Sequence, residues 1–316
     1  MIKVGVVGLG FMGGVHLRNW QSIAGAKVVA VCDANPIADT AKQGNLGAGS
    51  EPLDLEGVAV YTDVGEMLAN EDLDAVSITL PTHLHKPISI QALESGVHVL
   101  CEKPMALNVQ DCDAMIATAT KAGKQLMVAH CIRFWPEYVW AKKAVESGEY
   151  GKVLAADFSR LADAPAWAAD SWLADPVKSG GIALDLHIHD LDFIQYLFGI
   201  PLRSRSVGTR HVQTQLDYGD DRAITATASW SMPKSFGLQM AFKIVFEEAA
   251  VVFNGTTLTF YPSEGEPFAP ELEEGDGYRR EIEYFASLVS GTNTKTVISP
   301  EQARESVRMA VETINP

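Results

Sequence analysis

Residues 2–13 read IKVGVVGLGFMG, an apolar, β-branched run that breaks into glycines and is followed by an amphipathic segment to about Ile23. Few folds accept that order. Gly8-x-Gly10-x-x-Gly13 would sit between a strand and a helix. Gly8 permits the tight turn, Gly10 lets the backbone approach a pyrophosphate, and Gly13 lets the helix pack close to the strand. Phe11 and Met12 fill the same loop. The next strand-like run, KVVAVCD (27–33), ends on Asp33, twenty positions beyond Gly13. A carboxylate there can accept both ribose hydroxyls of NAD and repels the 2′-phosphate of NADP. The residues after it, Ala34, Asn35 and Pro36, include no arginine to hold that phosphate. The expectation is an NAD site, with NADP disfavoured.

The alternation continues. DVGEMLAN (63–70) reads as a helix capped by Asp63, DAVSITLP (74–81) as a strand, HKPISIQALESG (85–96) as a helix, VHVLCEKP (97–104) as a strand, NVQDCDAMIATATKAG (108–123) as a helix capped by Asn108, and QLMVAHC (125–131) as a last strand. Strands alternating with helices, and apolar on both faces, imply a doubly wound parallel sheet covered on both sides. Beyond residue 131 the pattern becomes α+β. EYVWAKKAVESG (137–148) reads as a helix and KVLAADFSRL (152–161) as a strand. After a long loop (162–181) and the stretch GGIALDLHIHDLDF (180–193), the chain is mainly strands from about 202, as LRSRSVGTRHV, RAITATASW, GLQMAFKIVF, AAVVFN and TLTFYP. Helices are expected near 276–290 and 300–314. The boundary falls near 130, giving an NAD-binding domain over 1–130 and an antiparallel α+β domain over 131–316.

With 316 residues, 47% of them hydrophobic, there is enough apolar material for a sizeable core. The net charge of −15 argues against nucleic acid or an anionic membrane surface as partner, and no run reaches the roughly 20 apolar residues of a membrane helix. The start lacks the features of a signal peptide. Cys32, Cys101, Cys112 and Cys131 show no CxxC spacing and read as buried, reduced thiols. A soluble, cytoplasmic protein is expected.

Two further groups carry chemistry. In a doubly wound sheet, ligands bind beyond the carboxyl ends of the strands. Leu80, Pro81, Thr82 and His85 of LPTHLH and Glu102 and Lys103 of CEKP fall there. A lysine beside a nicotinamide can take part in proton transfer. In GGIALDLHIHDLDF, Asp185 and His189 are four apart and share one helical face, whereas two residues rotate His187 by about 200° away from it. His187 and His189 therefore make a poor ligand pair, and no metal is expected. Trp135, Trp167 and Trp172 offer indole faces on which a sugar ring could stack.

GLGFMG, CDANP, LPTHLHKPISIQALESGVHVLCEKPMA and GGIALDLHIHD together resemble the glucose–fructose oxidoreductase / inositol dehydrogenase / MocA (Gfo/Idh/MocA) family, in order and across both halves of the chain. The resemblance implies a Rossmann domain followed by an α+β domain on a large open sheet that commonly carries oligomer contacts, hence a homodimer or homotetramer. It implies NAD(P)-dependent oxidation or reduction of a ring hydroxyl or ketone on a sugar or cyclitol held between the domains. By position it assigns catalysis to Lys103, Asp185 and His189, with a proline after Lys103 that is often cis. It places Glu102 against the nicotinamide ribose and Arg133 as a basic residue lining cofactor and substrate. The run HDLD is similar to that of inositol dehydrogenases and points toward a cyclitol or neutral monosaccharide. Two other activities stay open: a glycoside hydrolase that oxidises its sugar transiently with NAD, and a catalytically silent sugar- or cofactor-binding regulator. Relatives usually continue past ETINP, so the resemblance also implies a sequence that stops short.

Overall fold

The computed structural model describes residues 1–35, 52–164, 172–293 and 296–314. By internal contacts the chain forms two compact units, Met1–Cys131 with Tyr278–Glu305, and Ile132–Gly277 with Ser306–Pro316.

The first unit is built on β1 (Ile2–Val7), β2 (Ala26–Cys32), β3 (Ala59–Tyr61), β4 (Ala75–Ile78), β5 (His98–Glu102) and β6 (Leu126–Ala129), in the order β3-β2-β1-β4-β5-β6. Every pairing is parallel. The order reverses between β1 and β4, which opens a crevice at their carboxyl ends. All four residues of β4 and of β6 are buried, as a sheet covered on both faces requires. The connecting helices are α1 (Phe11–Ser22), α2 (Val64–Asn70), α3 (His85–Glu94) and α4 (Val109–Ala122). Their ends follow local chemistry. The Asp63 side chain accepts from Glu66 N, the Asn108 side chain accepts from Asp111 N, and α4 stops at Gly123 in the left-handed conformation. The three-residue β3 is too short for alternation to reveal in sequence.

The second unit carries α5 (Pro136–Ser147), β7 (Val153–Leu161), a short α6 (Pro176–Ser179), α7 (Ile188–Phe198) and six further strands. These are β8 (Arg203–Val207), β9 (His211–Asp217), β10 (Ala223–Ser229), β11 (Gln239–Phe246), β12 (Ala249–Phe253) and β13 (Leu258–Pro262). They form one seven-stranded sheet, β13-β12-β11-β7-β10-β9-β8. It is antiparallel except where β7 meets β10, a parallel pair whose long connection holds α6 and α7. LRSRSVGTRHV is two strands rather than one, parted at Gly208, whose φ of +89° turns the chain. An aromatic cluster fills the core, with Tyr138 edge-on to Phe193 at 4.8 Å and to Phe242 at 5.0 Å.

The expected second domain, 131–316, differs from the contact units in its last part. Helix α8 (Gly277–Val289) and the start of α9 (Pro300–Ile314) cluster with the first unit. Phe285 packs edge-on against Trp20 of α1, and Arg304 pairs with Asp113 of α4 at 2.6 Å. Apolar helices join whichever core they bury against, and chain order does not decide it. All four cysteines are buried and none forms a disulfide. Among the described residues, no helix is long and apolar enough to cross a membrane.

Candidate active site

The glycine loop has the backbone its residues imply. Gly8 has φ +90°, and a Cβ there would lie 2.9 Å from the Thr79 carbonyl oxygen. A Cβ on Gly13 would meet the Gly8 carbonyl oxygen at 1.9 Å, so the helix can start this close to the strand only with glycine. At Gly10 a Cβ would meet nothing within 4 Å, which leaves the space a pyrophosphate needs. Phe11 and Met12 open α1, whose first turn carries no acidic residue, so its N–H groups and dipole remain favourable to an anion. Thr79 Oγ1 donates to the Gly8 carbonyl at 2.6 Å and locks the loop to the end of β4. Thr79 carries no sequence signal beyond its place before LPTHLH.

Asp33 directly follows β2, beside this loop. Its Oδ2 accepts from Leu9 N at 2.7 Å and its Oδ1 from Asn35 N at 2.9 Å. Asn35 Nδ2 also donates to Oδ1, at 3.3 Å, so of the about four acceptor sites of a carboxylate one, on Oδ2, remains for a ribose hydroxyl. These features fit a dinucleotide.

Leu80 and Pro81 follow β4 and are partly exposed, whereas Thr82 and His85 are buried. The buried His85 ring is engaged on both nitrogens by main-chain carbonyls. Its Nδ1 lies 2.7 Å from the Pro104 carbonyl oxygen and its Nε2 lies 2.8 Å from that of Leu80. Burial pulls its pKa down against these two carbonyl acceptors. The ring ties the LPTHLH segment to the residue after Lys103. Glu102 departs from the expected ribose contact. It is 6% exposed, and its oxygens are engaged by His16 Nε2 and by Lys103 N. Lys103 itself is partly exposed, and the Lys103–Pro104 bond is cis, as the resemblance implies.

In the second unit, GGIALDLHIHDLDF does not run as a plain α-helix. Ala183–His187 form a π turn in which Ile188 N donates to the Ala183 carbonyl, five residues back. Ile182 and Leu186 pack on Val212 of β9 and Ala228 of β10, with Trp230 beside them. His187 is fully buried and its Nε2 meets Thr214 Oγ1 at 2.8 Å. Burial and then the charge of Arg160 lower its pKa to about 4. Asp185 and His189 are both partly exposed, while residues 186–188 between them are buried, so the two share the accessible edge of the turn. Trp172, on a short turn over Trp172–Ala174, and Trp135, at the start of α5, are partly exposed. Trp167 lies outside the described residues.

Two family models match the chain: "Oxidoreductase family, NAD-binding Rossmann fold" over residues 2–130, and "GFO/IDH/MocA C-terminal domain" over residues 138–252. The chain belongs to the Gfo/Idh/MocA family. It is 30% identical to the scyllo-inositol 2-dehydrogenase (NAD(+)) of Bacillus subtilis over 94% of its own length and 88% of that protein. It is 37% identical to a 2,7-anhydro-N-acetylneuraminate hydratase of Mediterraneibacter gnavus, over 61% of the chain but only 48% of that relative, about half its length. A levoglucosan dehydrogenase solved with NADH and levoglucosan has a TM-score of 0.82 at 23% identity, covering 99% of this chain and 96% of that one, a likeness of fold.

Within this Gfo/Idh/MocA chain, the expectation for Arg133 is corrected. Arg133 does not line a ligand surface. Its side chain is 0% exposed, its Nε and Nη2 each donate to Asp192 at 2.8 Å, and the guanidinium lies 4.4 Å from the Tyr196 ring centroid. The two aspartates of the HDLD run are structural as well. Asp190 pairs with Arg160 of β7 and Asp192 with Arg133, all four buried. Burial raises the Asp190 pKa against the attraction of Arg160. These carboxylates hold α7 in place.

Proposed function

We propose that the protein is an NAD-dependent oxidoreductase acting on a ring hydroxyl or ketone of a cyclitol or monosaccharide. The dinucleotide cradle of the first unit, with Lys103 at the end of β5, carries this reading. Bound NAD supplies the hydride acceptor. His189 takes the hydroxyl proton as the C–H hydride leaves, because an imidazole titrates near working pH. Asp185, on the same accessible edge, accepts a bond from a neighbouring hydroxyl and orients the ring. Lys103 stabilises negative charge on the reacting oxygen or relays its proton. Asp33 selects NAD over NADP, and Trp172 offers a face for the ring. The 30% likeness to a scyllo-inositol dehydrogenase supports the substrate class.

A second reading has its own support. The 37% relative is named a hydratase, and addition of water needs no net redox change. Here the same residues would oxidise the ring, allow loss or gain of water at a neighbouring carbon, and return the hydride.

The test is NADH formation at alkaline pH with myo-inositol, scyllo-inositol and a monosaccharide panel, on wild type, Lys103→Ala and His189→Ala. Activity with NAD that falls by about 10²-fold or more in both variants supports the dehydrogenase. Consumption of an anhydro-sugar without NADH, by protein that purifies with NAD bound, favours the redox-neutral reading. Tight NAD binding with no turnover of any kind would leave a regulator.

A further inference from the structure

One buried side-chain pair joins the helix of the glycine loop to the lysine. His16, on the second turn of α1, is fully buried, and its Nε2 lies 3.2 Å from Glu102 Oε1. The other carboxylate oxygen, Oε2, accepts the Lys103 backbone N–H at 3.0 Å. Glu281 of α8 is also fully buried, and the nearest ligand atoms of the three residues lie within 4.8 Å of one another.

Two carboxylates this close, out of water, need a proton or cation between them. His16 Nε2 faces the Glu102 member of the pair. Burial pushes the Glu102 carboxyl up, but the hydrogen bond from His16 and the charges of His16, Lys103 and His85 outweigh it and hold Glu102 below the ordinary glutamate value. An ionised carboxylate only accepts, so Nε2–H donates to it, and both of its bonds are charge-assisted. On the far side of Lys103, His85 meets the Pro104 carbonyl at 2.7 Å. The main chain around Lys103 is thus held from both directions. A lysine side chain is long and flexible, so the precision of its ammonium depends on a fixed backbone. A metal at this cluster would have to compete with the hydrogen bonds that already engage the imidazole Nε2 and both Glu102 oxygens.

We propose that His16 and Glu102 are positioning residues: His16 orients the Glu102 carboxylate, which fixes the Lys103 backbone in register with the glycine-loop helix. This rests on Lys103 as the group that handles the reacting proton.

The test compares His16→Leu, His16→Gln and Glu102→Gln with wild type in two measurements. NAD affinity by calorimetry is set beside kcat on whichever panel sugar or cyclitol the wild type oxidises. Separately, lysines are reductively methylated with ¹³C-formaldehyde and the Lys103 resonance, assigned by its loss in Lys103→Arg, is followed through a pH titration. That second reading needs no substrate. His16→Leu is expected to lower kcat by about tenfold to a hundredfold and to move the Lys103 resonance, with NAD Kd within about twofold. His16→Gln, whose amide can donate to Glu102, recovers most of both. An unmoved Lys103 resonance, or a loss confined to NAD affinity, overturns the proposal and leaves His16 as packing for α1. Stoichiometric metal in the purified protein that is lost in His16→Gln overturns it as well. Should His16→Leu fail to fold, the near-isosteric Glu102→Gln carries the same comparison. A wild type that turns over no panel substrate defeats the dehydrogenase reading alone, while the Lys103 resonance still decides this one.

Discussion

His187 sits between two residues proposed for catalysis yet serves the core. It is fully buried against Thr214 with its pKa lowered to about 4. That sets a pH dependence of known sign. In the unfolded chain the imidazole binds a proton below its ordinary 6.5, and in the folded chain only below about 4. As pH falls from 6.5 to 4 the unfolded state gains protons that the folded state refuses, so stability drops by about 3 kcal/mol and levels off below that window. His187→Gln, which keeps an amide to meet Thr214, should flatten this part of a urea-midpoint-versus-pH curve. An unchanged slope would mean that other groups set it. The rotation argument in GGIALDLHIHDLDF already separates His187 from His189. It does not reveal where Arg133 goes, because Asp192 lies 59 residues away in sequence and meets it only in the folded chain.

At the scale of elements, the glycine loop and α7 invite opposite experiments. Gly10 has open space at its Cβ position and an ordinary φ of −72°, whereas a Cβ on Gly13 strikes backbone at 1.9 Å. Gly10→Ala should therefore leave stability within about 0.5 kcal/mol but weaken NAD binding by about tenfold or more. Gly13→Ala should lose both, and thermal melts beside NAD titrations distinguish the two. Helix α7 is pinned by Asp190–Arg160 and Asp192–Arg133, with Ser306 Oγ donating to Asp192 at 2.7 Å. Arg133→Leu should cost about 3–5 kcal/mol by stranding a buried carboxylate, and Arg133→Leu with Asp192→Leu together should cost less. NAD affinity should be unaffected wherever the variant stays folded. Weakened NAD binding in a folded Arg133→Leu protein would restore the ligand role that its burial denies. The elements themselves are largely legible. Asp63, Asn108 and Gly123 mark helix ends where they stand, since capping is local chemistry. The π turn is not, because its extra residue breaks the 3.6-residue period from which helices are read.

Across the whole molecule, the seven-stranded sheet keeps one face accessible. Along β9 burial alternates strictly, with Val212, Thr214 and Leu216 inward and Gln213 and Gln215 outward. The outward positions include Ser159, Thr225, Thr227 and Ala241 around an Asp157–Lys243 pair at 2.9 Å, with Leu161, Val245 and Val252 among the apolar ones. The family resemblance implies that this sheet carries oligomer contacts, and a closed two-fold contact is the commonest form such a contact takes. Sedimentation should find a dimer or tetramer, and Thr227→Arg should shift it to a smaller species. A monomeric wild type would remove the idea.

What the sequence by itself determined is what neighbours along the chain decide. The strand–glycine–helix order gives the cradle, Asp33 follows the next strand, Lys103 is set by the end of β5 and Pro104 beyond it, and the alternation of elements gives a parallel sheet. Only the tertiary structure decided which distant groups meet. It joined His16 to Glu102 across 86 residues, brought Glu281 to the same cluster, moved α8 into the first unit, and spent Arg133, Asp190 and Asp192 on buried ion pairs. A buried charge must find a partner, and periodicity within one element cannot say which residue of another element will supply it.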